Sequence, residues 1–225
     1  DPNDPNIIYP QAQYGFLARY DRRTQERVYI TPKPASGEKQ YKWNWNTPLL
    51  ISPHSPTRLY YAAEYLFRSD DRGDSWQKIS PDLTRQLDRN QLEVMGRVWG
   101  VDSVAKNDST SRYGAAIMIS ESPLKEGLIF VSTDDGVINI TEDGGSNWRR
   151  VEKFRGVTAM SYIDDVLASS HDENIAYAVF DNHKRGDYKP YILKTEDRGK
   201  SWKSIAGNLP QRGSAHTIVE DHVNP

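Results

Sequence analysis

The sequence contains no cysteine, which removes disulfides and thiol catalysis from consideration. No apolar run approaches the length of a membrane-spanning helix, and no signal peptide is present, as expected of a piece cut from a longer exported chain. Charge of one sign is also missing. The net charge is −2 over 225 residues, so nothing draws the chain as a whole toward nucleic acid or an anionic membrane. There is no phosphate-cradling glycine loop and no nucleophile elbow. The five histidines (His54, His171, His183, His216, His222) show neither an i,i+4 helical pair nor metal-ligand spacing, and His216 and His222 read as surface residues. No metal and no cofactor are expected.

Aromatic residues are abundant, with 13 Tyr, 6 Trp and 5 Phe, and they recur in a pattern. Three blocks share the form Ser/Thr-x-Asp-x-Gly-x-(Ser/Asn)-Trp: Ser69 to Trp76, Thr141 to Trp148, and Thr195 to Trp202. Asp71, Asp143 and Asp197 suit hydrogen bonding to nearby backbone. Gly73, Gly145 and Gly199 supply a conformation that a Cβ would hinder. Trp76, Trp148 and Trp202 open the next strand and cover the turn. A calcium loop is the competing reading, but Asp70, Asp71 and Asp74 lack the alternating ligands and distal Glu that an EF-type loop requires.

The text around each block repeats as well. Four short apolar or alternating runs, termed A to D, precede and follow the block in 47–80, 115–152 and 164–206. Four strands per unit is the pattern of a propeller blade. At the start, Asn6 to Tyr9, Phe16 to Arg19 and Arg27 to Ile30 match B, C and D within 1–31, around a degenerate block at Asp21 to Gln25. At the end, Thr217 to Glu220 matches A, within 216–225. The expectation is an all-β propeller segment with four-stranded antiparallel blades, about four in this chain. It is taken as an arc of a larger ring whose other blades are its partners. A closed four-bladed ring is the alternative.

The thrice-repeated block resembles the Asp-box, or BNR repeat, of sialidase-like and sortilin-like β-propellers. Segments such as Arg97 to Asp102, Glu121 to Gly127 and Asp181 to Asp187 are similar to large bacterial BNR/sortilin-type proteins labelled glycosyl hydrolases. That resemblance implies a bacterial protein that is secreted, periplasmic or at the cell surface. It also implies that the boxes are structural and lie away from the working face.

In a propeller, the B–C loops and D–A crossovers share the face opposite the boxes, where sites form. Candidate ligand contacts there are Trp43, Trp45, Tyr65, Arg97, Trp99, His183 and Arg185. Trp43 and Trp45, two apart, would face the same way in extended chain, as a platform for a sugar ring or peptide side chain, or else pack between blades. Propeller xyloglucan hydrolases carry a catalytic Asp in a Thr-Asp-x-Gly-Gly context. Thr133-Asp134-Asp135-Gly136 is similar but lacks the second Gly. Asp134, with Asp187 or Asp181 as its partner, is therefore the catalytic candidate, because glycoside hydrolysis uses two carboxylates. A sialidase would need an arginine cluster, and the contexts of Arg97, Arg112 and Arg185 do not supply one. The favoured function is non-catalytic binding of a glycan or polypeptide, with no nucleic acid and no membrane insertion. The alternative is a glycoside hydrolase.

Overall fold

The computed structural model describes residues 1–108 and 112–224. Its strands form four antiparallel sheets, each built from consecutive segments, as blades of a β-propeller. The first contains β1 (Ile7–Ile8), β2 (Gln11–Ala12), β3 (Phe16–Asp21) and β4 (Arg27–Tyr29). The second contains β5 (Leu49–Ile51), β6 (Leu59–Ala62), β7 (Leu66–Ser69) and β8 (Gln77–Lys78). The third contains β9 (Ala116–Glu121), β10 (Ile129–Thr133), β11 (Ile138–Thr141) and β12 (Arg149–Val151). The fourth contains β13 (Tyr162–Ala168), β14 (Ala176–Asn182), β15 (Asp187–Thr195) and β16 (Lys203–Ser204). None of the described helices is long and apolar enough to cross a membrane.

In the first sheet, β1 and β2 both pair with β3, Ile7 opposite Asp21 and Gln11 opposite Leu17. They are one strand interrupted at Tyr9-Pro10, where proline has no N–H to give a ladder. Strand contacts join β5 and β6 to β9, and β9 and β10 to β13, and Leu17 and Ile30 of the first blade pack with Leu59 and Tyr61 of the second. The sheets follow one another as blades of a partial propeller. Between sheets lie fully buried side chains such as Tyr60, Leu66, Ile129 and Phe130, each contributing about 1.5–3 kcal/mol of apolar burial.

The Asp-rich turns join the third strand of a sheet to the fourth. In the first of them, Asp71 Oδ1 accepts from the Ser69 hydroxyl at 2.7 Å and the Ser75 N–H at 2.9 Å, while Oδ2 accepts from the Ser75 hydroxyl at 2.6 Å. Asp143 with Thr141 and Asn147, and Asp197 with Thr195 and Ser201, repeat this geometry. The Ser75 hydroxyl and N–H hold the Asp71 carboxyl down at about 2. These carboxylates are consumed by their own turns.

Each turn also presses on the preceding sheet. The Trp76 and Trp148 indoles donate to Ile30 O at 2.6 Å and Ile79 O at 2.9 Å. Trp202 departs from the series: its indole nitrogen is buried without a hydrogen-bond partner, and the ring packs edge-on against Phe154. Gly145 has φ +105°, and a Cβ there would lie 2.6 Å from Ile79 O. Gly145→Val is therefore expected to cost about 2 kcal/mol through backbone strain and steric clash, read by urea unfolding. A cost below ~0.5 kcal/mol, the range of neutral surface changes, would show that the turn does not brace the sheets.

A second brace alternates along the blades. At the end of β9, Glu121 is buried and accepts from the Ser52 hydroxyl at 2.5 Å, the Tyr60 hydroxyl at 3.1 Å and the Gly127 N–H at 3.1 Å, while His54 Nε2 contacts Ser122 O at 2.8 Å. Two sheets on, Glu220 accepts from the Ser169 and Tyr177 hydroxyls at 2.8 and 3.1 Å, and His171 Nε2 contacts Asp221 O at 2.7 Å. The residues holding 216–224 against β13 and β14 are thus the counterparts of those holding β9 against β5 and β6. The strand expected at Thr217–Glu220 is nevertheless not formed. No strand pairs with that segment among the described residues, and side chains of the fourth sheet hold it in place of a ladder.

Candidate functional site

The turns between second and third strands meet the connections between sheets on the face away from the Asp-rich turns. Carboxylates tie the two together. Glu64 Oε2 accepts from the Lys42 N–H at 2.6 Å. Asp134 Oδ1 accepts from both the Gly114 and Ala115 N–H groups at 2.9 Å. Asp135 Oδ2 accepts from the Arg85 N–H at 2.7 Å, and the Arg85 guanidinium reaches Asp135 O and Glu152 Oε2 at 2.7 and 2.9 Å. Arg85 is thus a central brace of this face, unmarked in sequence because nothing in its local context signals a partner fifty residues away.

The three candidate catalytic carboxylates each have a protein partner. Asp134 is only 6% exposed, and burial pushes its carboxyl up to about 7 despite its two backbone donors. Asp181 is also buried. Burial works to raise its carboxyl, but the His183 N–H and imidazole outweigh that and hold it below the usual carboxylate range. Asp187 accepts from the Tyr191 hydroxyl at 2.6 Å and the Lys189 N–H at 3.2 Å, which hold it low as well.

Of the two arrangements open to the Trp43 and Trp45 indoles, a shared platform or packing between blades, the shared platform is not formed. Residues 41–46 form no strand. Trp43 is half-buried with Leu17, Ile30 and Tyr61, its ring 5.0 Å from that of Tyr61 and close against Gly15. Trp45 is exposed and meets Tyr14 edge-on at 5.2 Å. Tyr65 joins the aromatic cluster of Tyr41 and Phe67 and carries Lys78 over its ring at 4.7 Å. The Arg97 guanidinium lies 3.4 Å over the Trp99 ring, whose indole donates to Val94 O at 2.8 Å. These contacts tie residues 94–99 together, and Met95, Val101 and Val104 are exposed. Arg185 donates to Ala159 O and Met160 O at 3.0 and 2.7 Å. Arg97, Arg112 and Arg185 therefore contact different parts of the face.

What the fold does bring together is a pair of adjoining hollows. One, of 320 Å³, is lined by Tyr14, Gln40, Tyr41, Trp43 and Arg112. The other, of 350 Å³, is lined by Lys42, Gln86, Leu87, Asp88, Arg89, Arg112 and Tyr113. Arg112 belongs to both. Burial, reinforced by Asp135 and Asp134, pushes the Tyr113 hydroxyl up to about 12, so it remains a hydrogen-bond donor at neutral pH. Tyr14, Lys42 and Tyr113 lie in separate connections of the chain. Their convergence is a product of the fold.

No family model matches the sequence. Among curated proteins, the oligoxyloglucan-reducing end-specific xyloglucanase of Emericella nidulans is 20% identical over 220 residues, covering 92% of this chain and 23% of that protein. Among solved structures, an ancestral GH74 enzyme matches with a TM-score of 0.62 at 13% identity, covering 94% of this chain and 25% of that one. The GH74 xyloglucanase of Xanthomonas campestris matches with a TM-score of 0.42 at 17% identity, covering 91% and 37%. The likeness to the ancestral enzyme is one of fold. The chain spans about a quarter of the length of the first two proteins.

Proposed function

We propose that the chain is a glycan-binding segment of a longer, exported Asp-box propeller protein, without catalytic chemistry of its own, and that its ligand is a branched β-glucan of the xyloglucan type. The observation that carries this reading is the double hollow around Arg112. It offers aromatic faces (Tyr14, Tyr41, Trp43) beside hydrogen-bond donors (Lys42, Arg112, Tyr113), the combination that sugar rings and their hydroxyls require. The likeness to a fungal xyloglucanase supports this ligand class. The engagement of Asp134, Asp181 and Asp187 by their own neighbours supports binding without hydrolysis.

Isothermal titration calorimetry with xyloglucan oligosaccharides is expected to show saturable binding, weakened about 10-fold, or ~1.4 kcal/mol, by Tyr14→Ala or Arg112→Ala. Val219→Ala, exposed and outside the hollows, leaves affinity unchanged. Absence of binding, or equal loss in all three variants, would overturn the assignment. Binding of peptides in place of glycans would move it to a polypeptide ligand. One observation favours the hydrolase reading: a carboxyl raised to about 7 suits a general acid. Release of reducing ends from xyloglucan, abolished by Asp134→Asn, would establish it.

A further inference from the structure

The fold brings Asp181, His183 and His216 together, although none of the histidine spacings in the sequence suggests a ligand set. One candidate ligand atom from each lies within 4.8 Å of the others. Asp181 is the penultimate residue of β14, and His183 opens the short 3₁₀ turn Asn182 introduces. His216 arrives from the segment that follows the fourth sheet. Thr217 and Ile218 fix that segment by donating to Asp165 Oδ2 at 2.8 and 3.1 Å. Two of the three groups are therefore fixed by β14 and its turn, and the third by a neighbour's buried carboxylate.

We propose that Asp181, His183 and His216 bind a divalent transition-metal ion of the zinc type, which fastens the segment beginning at His216 to the fourth sheet. Two imidazoles and a carboxylate match the donor preference of Zn²⁺ and its first-row neighbours, whereas Ca²⁺ and Mg²⁺ favour all-oxygen sets. Tetrahedral ligands at about 2.0–2.1 Å from zinc lie roughly 3.4 Å apart, so closing the set calls for small rotations of two side chains, of which the imidazoles are about half exposed.

The surroundings fit a metal centre. His216 Nδ1 is 2.7 Å from Asp164 Oδ2, the carboxylate–imidazole pairing that orients metal-ligating histidines and leaves Nε2 as the donor. The His183 N–H donates to Asp181 Oδ1 at 3.0 Å, and the His183 Nδ1 contact with Oδ2 brings those two donor atoms side by side. The two imidazole rings meet edge-on at 5.9 Å. A cation here would neutralise two largely buried carboxylates. The nearby cation, Lys184, lies 5.5 Å over the Tyr162 ring.

Titration of the metal-stripped chain with ZnCl₂ in a calorimeter is expected to give one site with a Kd near or below about 10 μM. His216→Ala or His183→Gln should weaken it at least 50-fold, while His222→Ala leaves it unchanged. CaCl₂ and MgCl₂ should give no comparable heat. Zinc at 100 times Kd should also slow proteolysis between the fourth sheet and residue 224, and not in His216→Ala. Both histidines are on the surface, and far-UV dichroism of each variant confirms folding. Zinc binding weaker than about 1 mM, or binding that survives both substitutions, would overturn the assignment. Binding without added protection would overturn the fastening role.

Discussion

Glu121→Ala is expected to lower the free energy of unfolding by about 3–5 kcal/mol, because it strands buried donors that each cost about 1–3 kcal/mol when left unpaired. The carboxylate collects the Ser52 and Tyr60 hydroxyls from the second sheet and the Gly127 N–H from its own turn. Tyr60 is 1% exposed, so its hydroxyl has no ready recourse to water. Urea unfolding followed by tryptophan fluorescence reads the loss. Two controls separate this brace from charge removal in general. Glu126 is exposed and pairs with Arg58 at the surface, so Glu126→Ala should cost under about 1 kcal/mol. Glu220→Ala removes the corresponding contacts of the last segment alone, so it should speed proteolysis there with the main transition nearly unmoved. A Glu121→Ala loss no larger than that of Glu126→Ala would mean that the sheets cohere through apolar packing alone.

The fold was legible because the Asp-rich turns are local. Asp71, Gly73, Ser75 and Trp76 satisfy one another within a few residues, so eight positions of sequence contain nearly all the physics of the turn. The position of a strand within its unit was legible for the same reason. What sequence misplaced depended on distant partners. Thr217 to Glu220 has strand composition, but a strand exists only where a neighbouring edge completes its ladder. The rule that would put Trp43 and Trp45 on one face holds for a strand, and the connection they occupy forms none. The site was less legible still. Asp134 and His183 stood out by residue type and loop position. Arg85, Arg112, Asp164 and His216 gain their meaning from groups fifty to seventy residues away. The alternation of Ser-x-His with Glu at successive inner strands, Ser52 and His54 with Glu121, then Ser169 and His171 with Glu220, is present in the letters. It becomes readable once the sheets are stacked.

Asp134→Asn is expected to make the chain more stable at alkaline pH and to flatten its pH dependence between about pH 4 and 7. Burial holds the Asp134 carboxyl up at about 7 in the folded chain, while an unfolded aspartate titrates near 4. Over that interval folding takes up a proton. The contribution is fully present below about pH 4 and is lost as pH rises through about 7. A shift of this size corresponds to something on the order of 4 kcal/mol at about 1.4 kcal/mol per unit. Asparagine keeps an oxygen for the Gly114 and Ala115 N–H groups and has no proton to lose, so the cost disappears. Asp135 and Lys42, which act on Asp134 with opposite signs, are unchanged in the variant, and the difference between the two stability profiles isolates the one carboxyl. Superimposable profiles would refute the buried-carboxyl account. The same variant bears on function. If it gains stability and keeps its glycan affinity, Asp134 is a brace between a turn and the connection that precedes β9. Its raised carboxyl then marks the burial of that junction and not a proton poised for a substrate.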